Sequence, residues 1–329
     1  MAEDGLLFLS ADDMSEAADM AQAIDWMRGA FEQVSSGEAT VPIRMNMGMP
    51  EQRGELLLMP VHLPREKRIG AKTVAVFGGN PSRNLPLIQS LMMVWDGETG
   101  RPLAVMDGAW LTALRTGAAS GLATQLCAQE DASVAAIFGA GTQARTQLEA
   151  VTAIRPIEKV LVFNRNRENA EIFCQEMSAR LQLEVCPARS PADLAQAQVL
   201  CTATLATRPL FSPEHVRPGA HINAIGAYRP DMVEIPAELV AQARLFVDER
   251  KACLEEAGDL MQPIASGLIS PEHVVAELGD LCAGTVPART GPEQITLFKS
   301  VGNAAQDLAA AAAILDVAQA RGLGTRVNM

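Results

Sequence analysis

Hydrophobic and polar positions along this chain follow two different rhythms, one before about residue 110 and one after it. In the first stretch, residues 14–35 carry Met20, Ile24, Met27 and Phe31 at helical spacing. Apolar runs then read as strands over residues 41–46, 54–62, 69–77, 88–95 and 103–107. GGNPSR at 78–83 has the composition of a loop, and DGETGR at 96–101 is a strong turn signal. Connections this short predict a mostly antiparallel sheet. From 110 to 127 the pattern is helical and rich in Ala and Thr. Strands over 134–138, 160–164, 183–186, 199–204, 221–225 and 245–248 then alternate with helices over 142–154, 167–181 and 236–243. Six strands with intervening helices predict an α/β Rossmann fold, a doubly wound parallel sheet. The last helix, 303–321, is Ala-rich and is expected to return to the N-terminal part. That return makes the N-terminal part a discontinuous α+β domain, 1–118 with 305–329, around a dinucleotide-binding domain at 119–304.

A length of 329 residues fits two domains better than one core. With 4% aromatic residues, the cores must be built from Ala, Val, Leu, Ile and Met. The net charge of −12 disfavours nucleic acid and anionic membrane as partners, although a local cationic pocket can still take a small anion. None of the cysteines 127, 174, 186, 201, 253 and 282 forms a C-x-x-C pair, which fits reduced, buried thiols. The N-terminal MAEDGLLFLSADD lacks a basic region and a long apolar stretch, and no run approaches ~18 apolar residues. A cytoplasmic protein is expected. His62, His215, His221 and His273 show no ligand spacing, so no metal site is predicted, and no G-x-S-x-G elbow is present.

The strand at 134–138 runs into Gly139-Ala140-Gly141-Thr142-Gln143-Ala144, and a helical pattern follows. This is the dinucleotide fingerprint G-x-G-x-x-A in its required context. Gly139 permits the turn, Gly141 lets the backbone approach a pyrophosphate, and Ala144 lets the helix lie close to its strand; helix N-terminal amides then meet the phosphate charge. At the end of the second strand an NAD site usually carries an acid, whereas this chain has Asn164-Arg165, with Arg167 beyond. An arginine there can bind a 2′-phosphate, so NADP(H) is expected over NAD(H). If both arginines are only solvated, the cofactor is NAD(H). Upstream, Arg44, Lys72 and Arg115 stand out, with Lys72 flanked by apolar residues on both sides. Each alone could snorkel or serve a structural ion pair. As a set they can clamp a carboxylate, with Lys72 polarising a C=N or C=O group or relaying a proton.

These motifs resemble the ornithine cyclodeaminase/mu-crystallin family along essentially the whole chain. The carriers are the arginine of VPIRM, GAKTVAVFGGNPSRNLP, LRTGAASGLAT, GAGTQA, HINAIGAYRPDMVEI, VDERKACLEEAGD, AELGDLCAG and LFKSVGNAAQDLAAA. The resemblance implies a homodimer acting on small α-amino or α-imino acids, with a Rossmann domain and an N-terminal substrate and dimerisation domain. It implies that Arg44, Lys72 and Arg115 hold the substrate, with Val301 lining its pocket. It also implies cofactor contacts at Arg115, Thr142, Gln143, Asn164, Arg165, Thr202 and Ser300 beside the two glycines. Cyclodeaminases of the family carry an aspartate where this chain has Tyr228, and a phenol with a pKa near ~10 is a poor base at neutral pH. The expected reaction is therefore NAD(P)H-dependent reduction of an α-imino acid such as pyrroline-2-carboxylate, piperideine-2-carboxylate or iminosuccinate. The alternatives are an alanine-type dehydrogenase, a cyclodeaminase using Asp231, or a crystallin-type ligand-binding protein loaded with NADP. Met45, Met47 and Met49 are either an adaptable apolar wall of the substrate pocket or ordinary strand packing.

Overall fold

The computed structural model describes residues 5–328, which form two compact units. The first takes the chain up to Arg115 and again from Asn303; the second is Thr116–Gly302. The first unit opens with β1 (Leu6–Leu9), α1 (Ala11–Ala17) and α2 (Met20–Ser35). The single helix expected over 14–35 is thus two helices. Asp19 breaks it: extended at φ −117°, it accepts from the Gln22 amide at 2.9 Å while Gln22 Oε1 accepts from the Asp19 amide, a capping box. Ile24, Met27 and Phe31 are buried as their spacing predicts. A meander follows through β2 (Met45–Met49), β3 (Gly54–Leu63), β4 (Arg68–Phe77), β5 (Ile88–Asp96) and β6 (Pro102–Asp107). Each neighbouring pair is antiparallel, and the cross-strand register sets Met59, Lys72, Met92 and Met106 in one row. The first strand starts later than expected, at Met45 rather than near residue 41. The unit boundary falls inside the next helix, α3 (Gly108–Cys127).

The second unit alternates strand and helix: β7 (Val134–Phe138), α4 (Thr142–Ile154), β8 (Lys159–Phe163), α5 (Arg167–Leu181), β9 (Glu184–Pro187), β10 (Val199–Thr202), β11 (His221–Ala224), α6 (Ala237–Gln242) and β12 (Arg244–Val247). Then come α7 (Arg250–Glu256), α8 (Gly258–Ala265), β13 (Val274–Glu277), α9 (Leu278–Cys282) and β14 (Thr296–Lys299). The sheet has eight strands rather than six, in the order β13-β12-β14-β11-β10-β7-β8-β9, all parallel. β13 adds an edge, and β14 slots between β11 and β12. Alternate residues feed two apolar cores, with Ala136 and Phe138 on one face and Ala135 and Ile137 on the other, as a doubly wound sheet requires. In register, Phe163, Phe138, Thr202, Ala224, Lys299 and Val247 form the last row at the carboxyl edge. The chain reverses strand order between β7 and β10, the place where open α/β sheets bind ligands.

After Gly302 the chain returns to the first unit as α10 (Ala304–Arg321) and β15 (Thr325–Val327). α10 packs on α2 and on β3, β4 and β5, with small side chains allowing close approach: a Cβ added at Gly70 would lie 2.9 Å from Leu308. β15 pairs antiparallel with β1, and β1 runs parallel to β6, completing the order β15-β1-β6-β5-β4-β3-β2. Among the described residues, no helix is long and apolar enough to cross a membrane.

Candidate functional site

In the first unit Lys72 points from β4 toward the helix-covered face and is 2% exposed. Its Nζ lies 2.6 Å from Asp307 Oδ2 and donates to Thr112 Oγ1 at 3.3 Å. The Thr112 hydroxyl itself donates to the Gly108 carbonyl, so it meets Lys72 as an acceptor. Arg115, also buried, donates from Nε to Asp307 Oδ1 at 3.0 Å and from Nη1 to Gln306 Oε1 at 2.7 Å. One fully buried carboxylate therefore bridges the two cations. Asp307 lies in the first turn of α10, where an anion is favoured. Burial lowers the Lys72 pKa to about 8; Asp307 opposes that shift, while the positive charges of Arg115 and Arg44 add to it. Arg44 is half-buried just before β2 and acts on Lys72 through its charge. Two buried cations, Lys72 and Arg115, thus share one carboxylate, an excess of positive charge that suits an anionic ligand.

In the second unit the glycine turn stands at the carboxyl edge of β7. Gly139 has φ +108°, and a Cβ there would sit 2.7 Å from the Ala203 carbonyl, so only glycine fits. Gly141 is the N-cap of α4 with no side-chain cap, and the space where its Cβ would project is open. The helix amides are thus left for a ligand. Thr142 is exposed, and the buried Oε1 of Gln143 has no hydrogen-bond partner among the described residues, an orphaned acceptor at the helix start. At the edge of β8, Asn164 is half-buried and accepts from the Asn166 amide. Arg165 is exposed and carries no ion pair among the described residues, while Arg167 pairs with Glu171. No carboxylate stands at residues 164–167. These features fit a dinucleotide phosphate chain.

Thr202 and Ser300, expected as cofactor contacts, have their hydroxyls engaged below that edge. Thr202 Oγ1 donates to Glu234 Oε2 at 2.8 Å. The same fully buried carboxylate accepts from the Thr204 amide, the Thr204 hydroxyl and the Gly226 amide. Burial pushes the Glu234 pKa up, against the pull of Lys299. Ser300 Oγ donates to Asp248 Oδ2 at 2.6 Å, and the amides of Val301 and Gly302 donate to that same oxygen. Val301 packs against the apolar core of the unit. Asp259 joins the scaffold, accepting from the Glu234 and Ile235 amides and pairing with Lys299 at 3.1 Å. Tyr228 is half-buried with Arg229 over its ring, and Arg229 pairs with an exposed Asp231. Sequence reasoning singled out the cations and the glycines but missed Asp307, Gln306, Thr112 and Asp248 as site residues. The available signal for Asp307 was an acid heading an otherwise apolar, alanine-rich helix, beside a lysine that burial obliges to find a counter-charge.

The parallel sheet and its glycine turn define a Rossmann-type dinucleotide-binding protein with a second, cation-bearing unit. The profile of the ornithine cyclodeaminase/mu-crystallin family matches residues 6–322, and the chain belongs to that family. It is 35% identical over 325 residues to Delta(1)-pyrroline-2-carboxylate reductase of Bacillus cereus, covering 98% of this chain and 100% of that one. It is 38% identical over 286 residues to ketimine reductase mu-crystallin of Mus musculus, covering 87% and 88%. The solved structure of Thermococcus litoralis Delta(1)-pyrroline-2-carboxylate reductase, in complex with NADH and L-proline, superposes with a TM-score of 0.94 at 37% identity, covering 98% and 100%.

Proposed function

We propose that this chain is an NAD(P)H-dependent imine reductase, turning a small cyclic or acyclic α-imino acid into the L-amino acid. The observation that carries this reading is the buried pair of cations, Lys72 and Arg115, bridged by the single carboxylate of Asp307, with the charge of half-buried Arg44 also acting on Lys72. Arg44 and Arg115 hold the substrate carboxylate. Lys72 has three N–H groups, of which Asp307 and Thr112 take two, leaving one for the imine nitrogen or a water beside it. With a pKa of about 8 it is protonated at neutral pH and close enough to neutrality to relay a proton. The nicotinamide coenzyme supplies the hydride when bound. Gly139, Gly141, Thr142 and Gln143 would take its pyrophosphate, while Thr202 and Ser300 support that edge with their hydroxyls turned to Glu234 and Asp248, and Val301 gives its amide to Asp248. Asp231, exposed and paired with Arg229, is badly placed to replace the aspartate of a cyclodeaminase.

Arg165, exposed and without an ion pair among the described residues, stands beside Asn164 in place of an acid and supports NADP(H) as the preferred coenzyme. Dimerisation is supported by the sheet face of the first unit opposite Lys72. There Phe8, Met45, Met47 and Leu91 are 41%, 64%, 53% and 52% exposed, an apolar surface suited to the same face of a second copy. The deciding experiment follows coenzyme oxidation with pyrroline-2-carboxylate, piperideine-2-carboxylate, iminosuccinate, and pyruvate plus ammonia. Ornithine is tested separately for ammonia release. Imine-dependent oxidation, faster with NADPH than NADH, is expected. Proline formation from ornithine, or no turnover of any imine, overturns the reading. Arg165→Ala is expected to raise KM for NADPH about tenfold, the effect of one charge-assisted contact, and to leave NADH unaffected.

A further inference from the structure

Lys72 is held from three directions: Asp307 of α10, Thr112 of α3, and the apolar Met59 and Met92 that flank it on β3 and β5. The charges that act on it are Asp307, Arg115 on the same helix as Thr112, and Arg44 ahead of β2. Asp307 is the one anion in that set. Both members of the pair are buried, so water does little to screen the interaction. Asp307 also fixes Arg115 through its other oxygen, so a single carboxylate sets the spacing of two substrate-binding cations.

We propose that Asp307 is a positioning residue that keeps Lys72 in its ammonium form and holds Lys72 and Arg115 in register for the substrate. The role rests on the imine-reductase reading for its consequence in turnover, and on geometry alone for its effect on Lys72. Without the negative charge, burial and the two arginines all favour the neutral amine. A neutral Lys72 still offers N–H groups to a substrate but has no acidic proton to give the imine nitrogen as hydride adds to its carbon, so imine reduction slows wherever the ammonium has lost its proton.

The test is Asp307→Asn, which keeps shape and removes charge, read by the pH profile of kcat/KM for pyrroline-2-carboxylate reduction. In the parent enzyme the alkaline limb is expected near the Lys72 pKa of about 8. In the variant it moves down by a pH unit or more, a loss of about tenfold on the alkaline side, since one unit is tenfold in protonation. Activity recovers toward the parent value as pH is lowered, while NADPH affinity in a fluorescence titration stays unchanged. A limb at the parent position with uniformly lower activity marks a purely structural role and overturns the proposal. NMR of the lysine Cε signals, with Lys72→Arg identifying the resonance, follows the Lys72 titration directly. An unshifted titration in Asp307→Asn defeats the proposal even if no imine is turned over, whereas a shifted titration without turnover defeats only the imine reading. If the Asn variant does not fold, Asp307→Glu keeps the charge and must keep the limb at the parent pH; a limb displaced downward there counts against the proposal.

Discussion

Glu234→Gln tests the scaffold beneath the nucleotide edge. Four donors converge on the Glu234 carboxylate: the Thr204 amide at 2.7 Å and its hydroxyl at 2.8 Å on Oε1, with the Gly226 amide at 2.7 Å and the Thr202 hydroxyl at 2.8 Å on Oε2. That many donors call for an ionised acceptor, even though burial raises the pKa. In glutamine one oxygen becomes an NH2 group. The threonine hydroxyls can rotate to accept from it, but a backbone amide cannot. Either orientation of the new side chain therefore sets a donor against the Thr204 or the Gly226 amide. An unsatisfied buried amide costs about 1–3 kcal/mol. For a unit of this size that is about 2–4 °C in Tm per kcal/mol, or about 2–12 °C in all. The loop cannot relax at Gly226 without losing its close packing, since a Cβ there would already sit 2.3 Å from the Thr204 carbonyl. Relaxation is left to residues 203–206. Because the Ala203 carbonyl abuts Gly139, that movement reaches the glycine turn, and nicotinamide-dinucleotide affinity should fall about fivefold for each kcal/mol lost there. Differential scanning fluorimetry and a nucleotide fluorescence titration measure both quantities. A Tm within about a degree of the parent and an unchanged Kd would mean that the acid is already neutral and that the four-donor argument is wrong.

Leu91→Glu puts a charge on the apolar sheet face of the first unit, where Leu91 is 52% exposed; light scattering should report a monomer, and an intact dimer rules this face out. His221 is buried between Thr296 and Asn223, and burial depresses its pKa to about 3. Its neutral form is the native one, so its contribution to stability is complete above the unfolded pKa of about 6.5 and is lost as pH falls from there toward 3. The slope approaches about 1.4 kcal/mol per pH unit, one proton's worth. Denaturant titrations across pH 7 to 4.5 in the parent and in His221→Gln check it, and an equal slope in both removes His221 as the cause.

The elements that were legible in the sequence were those with punctuation at both ends. The bounds of α4 and α5 match the sequence pattern because a glycine turn opens one, while the Asn166 cap opens the other. β1, β13, β14 and β15 escaped notice because their places in the sheets are dictated by partners far away in sequence: β1 lies between β15 and β6, and β14 between β11 and β12. The break at Asp19 escaped because a capping box can sit inside a continuous helical spacing, and its polar side chains read as an ordinary solvated face.

The same asymmetry governs the candidate site. A cation between apolar residues advertises itself, since nothing local can neutralise it, and the glycines of a phosphate turn are recognised by their spacing. Their supports are different. Asp307, Glu234 and Asp248 are fully buried acids that each bind several partners across the fold, Asp307 from a helix that follows Lys72 by most of the chain. Locally each looks like a helix-start or loop acid, which is where exposed carboxylates ordinarily occur. Only tertiary structure distinguishes a solvated acid from one that organises a site. The sequence therefore displays the cations and the glycines and conceals the buried acids that hold them. This is also why substitutions at Asp307 and Glu234 discriminate between readings that substitutions at Lys72 or Gly139 cannot separate: they alter the protonation or placement of the group each acid supports while leaving that group in the chain.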